Sequence, residues 1–320
     1  MLSPAKDLSV ILCTWNNARR LRITLDAISQ CDVPDMLDWE LVLVNNNCTD
    51  ETDRVAEEFS GRLPLRYIHQ PKPGLSNARN AGLAHASGRL VLFTDDDVRP
   101  YPGWIAAYWQ AYQAMPEGFY FGGPVESEFE GERPPEDFLK LAPWSVRGLD
   151  WGGTARRATR GERFISANWA CPREVILAVG GFDTQLGLNP GSGKVRTGEE
   201  LDLMDRLQEA GLQPWYLPEA RIRHFVPMNK CSIDHLAARK AATGYNRIRF
   251  GDVPIEGFCV GGVPVRWYAA YAYRWLECLT TRLTGQDWHQ VYIKVAQARG
   301  RIEAARDRYR EQQVTRLELK

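Results

Sequence analysis

RLVLFTDDD, Arg89–Asp97, decides how this chain is read. Its apolar part is short and continuous, as expected of a strand covered on both faces in a parallel sheet. It stops abruptly on three adjacent carboxylates, Asp95, Asp96 and Asp97. Like charges so close repel, and leaving them together after a buried strand costs stability unless a cation sits there. Magnesium or manganese, held by one or two carboxylates plus the phosphate oxygens of a substrate, fits such a cluster. A solvated acidic turn is the plain alternative, and it would win for an isolated DDD tripeptide. The flanking sequence weighs against it.

Upstream, LSVILCT (Leu8–Thr14) and WELVLVNN (from Trp39) read as two more buried strands, and Leu65–His69 as a short one. Between them, 16–30 places Leu21, Leu25 and Ile28 at helical spacing. Thr49 or Asp50 can cap the next helix, whose acidic start suits its dipole. KPGLSNARNAGL reads as a glycine loop entering an Ala-rich helix over 74–86, with Ser76 or Asn77 as cap. Such a helix can direct N–H groups and the Arg79 side chain at an anion; a plain capped surface helix is the alternative. This βαβα rhythm predicts a mainly parallel α/β sheet. Thr14, Trp15 and Asn16 follow the first strand, Asn45–Asn47 the second, and the aspartates RLVLFT. Ligands of open parallel sheets bind outside the carboxyl ends of the strands, so three polar clusters at three such ends describe one site.

Order weakens over 131–161, where Pro, Gly and charge predict loops. Strands and helices resume with FISANWACPREVILAVGGF. GEELDLMDRLQEAG then reads as a helix with an acidic start, and QPWYLPEARIRHFVP as extended chain broken by prolines. The 320 residues fit one large domain with an appendage, and Lys plus Arg equals Asp plus Glu at 40 each, which gives no reason to expect a nucleic-acid partner. Seven scattered cysteines without a CxxC pair indicate a reducing compartment, and the N-terminal stretch lacks the pattern of a cleaved leader. A cytoplasmic protein is the expectation.

CTWNN, VNNNCTDET, KPGLSNARNAGL, LFTDDDV, SANWACPREVILAVGGFD, GEELDL and the later His224 stand in an order that resembles family 2 glycosyltransferases of the GT-A fold. The resemblance spans about Leu8 to Pro227. It implies a GT-A catalytic domain over 1–230, its nucleotide-sugar half about 1–125 and its acceptor half about 126–230, then a helical extension over 231–320. It also implies an inverting enzyme that moves a sugar from a nucleotide-diphosphate donor to an acceptor hydroxyl, in cell-surface polysaccharide or glycolipid synthesis. In such enzymes the aspartates resemble the DxD motif, with Asp97 as the foremost ligand of Mn2+ or Mg2+, Asp95 as a second ligand nearer the ribose, and Asp96 between them on the donor side. His224 resembles a histidine that completes the metal site; a hydrogen-bonded strand-end histidine is the alternative. Thr14 and Trp15 match positions around the nucleobase, and Arg79 one near base and phosphates. Asn45 stands where the family commonly has an aspartate that accepts from uracil. Asparagine keeps the carbonyl acceptor but loses the charge, so GDP and dTDP donors stay open beside the UDP-sugars that the resemblance favours. Glu199 and Glu200 match the family's ED pair, and Glu200 is expected to be the base; electrostatic support of a helix start is the alternative, strongest for Glu199. Asn168 and Trp169 lie in a segment that in the family approaches donor and acceptor.

Two other classes deserve comparison. A sugar nucleotidyltransferase would carry a Gly-rich basic loop after the first strand, which CTWNNARR does not provide. An inactive nucleotide- or glycan-binding module is at odds with carboxylates at every matched position. The segment VRWYAAYAYRWLECLTTRL (Val265–Leu283) is too interrupted by charge to span a bilayer. Read as a helix, it gathers Arg266, Arg274, Glu277 and Thr281 on one side, beside a Trp/Tyr stripe and a run of Ala and Leu. It is expected to touch the cytoplasmic face of the membrane, with docking on protein or a homodimer interface as the alternatives.

Overall fold

A computed structural model of the chain describes residues 6–159, 161–188, 198–249 and 253–318. They fall into two compact units. The first comprises 1–132, 144–192 and 198–226; the second comprises 133–143, 193–197 and 227–320.

The first unit begins with β1 (Lys6–Thr14), α1 (Ala18–Ile28), β2 (Trp39–Asn45), α2 (Thr52–Phe59), β3 (Leu65–His69), α3 (Leu75–His85) and β4 (Gly88–Asp95). It continues with β5 (Val98–Pro100), α4 (Trp104–Ala114), β6 (Phe119–Gly122) and β7 (Val125–Phe129). After α5 (Glu136–Leu141), a part of the second unit, come α6 (Trp144–Arg147), β8 (Arg156–Arg157), β9 (Trp169–Pro172), α7 (Arg173–Ala178), α8 (Glu199–Glu209), β10 (Gln213–Tyr216) and β11 (Ile222–Val226). Eight strands form one sheet in the order β3-β2-β1-β4-β9-β6-β10-β8, and β5-β11-β7 form a second. β3, β2, β1 and β4 all run parallel, whereas β9 runs against both β4 and β6. The short elements α5, α6 and β8 correct the expectation of loops alone over 131–161.

β1, β2 and β4 are buried along nearly their whole length, because helices cover both faces of the sheet. Leu21, Leu25 and Ile28 of α1 are buried as their spacing predicts. On the other face, α3 lies close to the sheet. A Cβ on Gly82 would stand 2.6 Å from an Ile11 methyl, so only glycine fits there. Arg79 precedes Gly82 by one turn on the same face, which carries its side chain to the carboxyl edge of β1.

Two helix starts, those of α1 and α3, differ from the sequence reading, while at α2 Asp50 accepts at the helix start as that reading expected. Asn16 adopts a left-handed φ of 50°, so α1 begins only at Ala18. Asp50 serves two helices: one carboxylate oxygen accepts from the Ala18 N–H at 2.8 Å, the other from the Thr52 hydroxyl at 2.6 Å. α3 is entered through Gly74 at φ 123°, which leaves Ser76 and Asn77 inside the first turn instead of at the cap.

The second unit contains α9 (Ile233–Arg249), a short hairpin of β12 (Cys259–Val260) and β13 (Val263–Pro264), α10 (Val265–Leu283) and α11 (His289–Glu318). α9 and α11 approach backbone to backbone: a Cβ on Gly300 would fall 1.9 Å from the Ala241 carbonyl oxygen, and one on Gly244 2.1 Å from that of Gln297. Ile248, Val263, Ile302, Ala304 and Ala305 form a small core, with Trp267, Tyr268 and Tyr271 packed against it.

Candidate active site

The register of the parallel strands builds the site. Thr14 pairs with Asn45 and Cys13 with Asp95, so the ends of β1, β2 and β4 lie side by side at one edge. The turn after β1 and the turn after β2 both contain left-handed asparagines, Asn16 at φ 50° and Asn47 at φ 62°. Their side chains and backbones interlock, since the Thr49 N–H donates to Asn16 Oδ1 at 2.7 Å.

Each aspartate of the triplet has a different environment. Asp95 accepts from Arg79 Nη2 at 3.1 Å and faces the Ser166 hydroxyl at 3.4 Å. Asp96 turns back over β1, accepting from the Thr14 hydroxyl at 2.6 Å and Asn17 Nδ2 at 2.8 Å. Burial, and then the charge of Asp97, push its carboxyl up to about 7. Asp97 stands opposite His224: its Oδ1 lies 3.4 Å from His224 Nε2, and both side chains are largely buried. β11 delivers the histidine by pairing His224 with Val98, the residue after Asp97. Asp97 and His224 are thus the two groups positioned to share one cation. No set of three His, Cys, Asp or Glu side chains able to hold a metal occurs among the described residues. Two protein ligands with a diphosphate completing the shell remain consistent with that, and the raised carboxyl of Asp96 marks a cluster that a cation would relieve.

Arg79 is buried and bridges two carboxylates, Asp95 through Nη2 and Glu199 through Nη1 at 2.9 Å. Burial opposes its charge, but Asp95 and then Glu199 outweigh that and raise its pKa. Against the expectation of an arginine near base and phosphates, both terminal nitrogens hold protein carboxylates in this structure. Glu199 is likewise corrected from catalytic candidate to buried partner of Arg79. Glu200, next on α8, is half-buried. The αL residue Gly198 precedes it, so the pair sits at a true helix start.

Four further expectations change. Asn45 is buried and its amide is consumed internally: Nδ2 donates to Asp53 and to the Tyr67 hydroxyl, and Oδ1 accepts from the Cys48 N–H. It presents no carbonyl to a base. The Thr14 hydroxyl is spent on Asp96, whereas Trp15 is 47% exposed and its ring is open to a ligand. Asn168 does not face a substrate. It is fully buried, donates to the Pro124 and Ala220 carbonyls, and accepts from Trp104 Nε1 and the Tyr108 hydroxyl. Trp169 is equally buried and stacks on Phe93 with ring centroids 4.7 Å apart. Residues 189–197, which precede α8, lie outside the described residues.

Sequence reasoning missed Asn17, Ser166, Asp50 as a double cap, and the Asn45–Asp53–Tyr67 cluster. Asn17 had a signal, its place directly after TWN. Ser166 had none, because it reaches Asp95 only through the tertiary fold.

Residues 9–166 match the family described as Glycosyl transferase family 2. A glucosyl-dolichyl phosphate glucuronosyltransferase of Haloferax volcanii is 27% identical over 244 residues, covering 75% of each chain. Among solved structures, the mannosyltransferase PcManGT from Pyrobaculum calidifontis, in complex with GDP-Man and Mn2+, superposes with a TM-score of 0.58 at 18% identity, over 95% of this chain and 86% of that one. S. aureus TarS 1–349 in complex with UDP-GlcNAc gives a TM-score of 0.51 at 18% identity, over 74% of this chain and 65% of its own. At these identities the structural likeness establishes the fold, and with the sheet order it makes the fold GT-A.

Proposed function

We propose that this chain is a family 2 glycosyltransferase that moves a sugar from a nucleoside-diphosphate donor onto a hydroxyl of a glycan or lipid-linked acceptor, with inversion at the anomeric carbon. The observation that carries this reading is the convergence of Asp95–Asp97, His224 and the start of α8 at the carboxyl edge of β1 and β4.

Asp97 and His224 would hold Mn2+ or Mg2+. When bound, the cation neutralises charge on the diphosphate oxygens of the leaving group. Asp96, tied to Thr14 and Asn17, fixes the turn that presents Asp97. Arg79 draws Asp95 and Glu199 together, and so fixes the end of β4 against the start of α8. Glu200, next on α8 and half-buried, would be the carboxylate that takes the proton of the acceptor hydroxyl. The acceptor oxygen forms its bond to the anomeric carbon as the bond to the diphosphate breaks on the opposite face, and the hydroxyl proton passes to Glu200. Trp15 supplies an exposed ring on which a nucleobase can stack.

The resemblance puts UDP-sugars first in order of test, and GDP- and dTDP-sugars are tested beside them because Asn45 is engaged with Asp53, Tyr67 and Cys48. The name of the Haloferax relative supports a lipid-phosphate acceptor class. Seven free cysteines support action on the cytoplasmic side. The test is a screen of nucleotide sugars with Mn2+, read as nucleoside diphosphate released. Metal-dependent release from one donor supports the proposal; release of pyrophosphate from a sugar phosphate and nucleotide triphosphate, or no turnover with any donor and acceptor, refutes it.

A further inference from the structure

The second unit leaves one face of α10 without a protein partner of its own. The helix packs against α11 through Trp267, Tyr271 and Cys278. The opposite side carries Val265, Ala269, Ala272, Leu276, Leu279 and Leu283, all of them exposed. At 100° per residue these six fall within about 40° of one line, a continuous apolar stripe about 27 Å long. Leu276 is 61% and Leu283 85% exposed. Phe258, at the base of the hairpin that leads into α10, is 81% exposed, and its carbonyl accepts the Val265 N–H, which joins it to the head of the stripe. The expected Trp/Tyr stripe is thus divided: Trp267, Tyr268 and Tyr271 pack inward, and the aliphatic residues face out.

The borders of the stripe indicate what covers it. Tyr273 and Trp275, both exposed, flank it on either side. Exposed Arg266 and Arg282 lie farther out, one on each border. The single carboxylate of the helix, Glu277, is turned to Arg274 at 3.1 Å, away from the stripe. An aliphatic centre, amphipathic aromatic shoulders and cationic edges match the layering of a bilayer surface: acyl chains, interfacial zone, anionic headgroups. No described helix is long and apolar enough to cross a membrane, so contact is in the plane of the surface.

We propose that α10, with Phe258 at the base of the β12–β13 hairpin, docks the chain on an anionic phospholipid surface. The full chain should float with phosphatidylcholine vesicles that contain phosphatidylglycerol, and more weakly with phosphatidylcholine alone. Leu276→Glu with Leu279→Glu should lower partitioning by roughly tenfold per leucine. Arg266→Glu with Arg282→Glu should abolish the preference for anionic vesicles. All four side chains are exposed or partly so, and unchanged circular dichroism and thermal unfolding would certify the fold. Failure of the full chain to float, equal flotation of the leucine variant, or a solution dimer that the leucine variant dissolves without any flotation would each overturn the proposal. None of these readouts depends on sugar transfer.

Discussion

Glu199→Gln and Glu200→Gln differ by one position and should fail in opposite ways. Glu199 is buried, and its carboxylate holds Arg79 at 2.9 Å, where Arg79 has no access to water. Removing one partner of a buried pair commonly costs about 3–5 kcal/mol, since the other charge stays behind. Here Asp95 remains on the second guanidinium nitrogen at 3.1 Å, and a glutamine oxygen can still accept from Nη1. Both effects reduce the loss to about 2–3 kcal/mol. For a unit of this size that lowers Tm by about 5–10 °C. Glu200 is half-buried at the same helix start, and its amide variant should leave Tm within about 2 °C of wild type. Its effect belongs to catalysis: kcat should fall by about 10²–10⁴ with donor Kd unchanged, as for loss of a general base. The assay is thermal unfolding by calorimetry beside single-donor kinetics with Mn2+. A Glu199→Gln protein of wild-type Tm and no activity, paired with an active Glu200→Gln protein, would refute the assignment and exchange the two roles.

Asp97→Asn should keep the fold, weaken donor binding in the presence of Mn2+ and lower kcat/KM by about two orders of magnitude or more, measured by titration and initial rates. Asp96 makes the metal-free chain pH-sensitive. Its folded carboxyl lies at about 7, above the roughly 3.9 of an unfolded aspartate, so the native state binds the extra proton. Its contribution to stability is present at low pH and is lost as pH rises toward and through about 7. Tm should fall along that rise, Asp96→Asn should flatten the limb, and a wild-type curve already flat there would contradict the assignment. Asn168→Ala strips four buried groups of their partner and should cost about 3 kcal/mol or more in denaturant unfolding. The KM values of the folded remainder should be unaltered; a selective rise in acceptor KM would return Asn168 to the substrate side.

The parallel half of the sheet was legible because β1, β2 and β4 are buried on both faces and carry unbroken apolar runs that end in polar clusters. The same rule placed Thr14, Asn45 and Asp95 at one edge, and register brings them there. Motif order located His224 near the aspartates, but its approach to Asp97 depends on β11 pairing with β5, which no local pattern announces. Misjudged residues share one cause. Arg79, Asn45, Asn168 and Trp169 are polar or aromatic groups that sequence places beside a site, and whether such a group faces ligand or protein depends on partners distant in the chain. Asn168, for instance, is saturated by Trp104, Tyr108, Pro124 and Ala220, none of them within forty residues. Burial of one face against α11 likewise separated the aromatic and aliphatic sides of α10, which helical spacing alone had joined.

The central claim is that nucleoside diphosphate and cation meet at the carboxyl edge of β1 and β4, between Asp97 and His224. An anomalous difference map from crystals grown with Mn2+ and the nucleoside diphosphate selected by the donor screen tests it most directly. The account predicts one manganese peak within coordination distance of an Asp97 oxygen and His224 Nε2, with diphosphate oxygens filling the rest of its shell. A manganese ion bound without Asp97, or a diphosphate seated away from this edge, would contradict it.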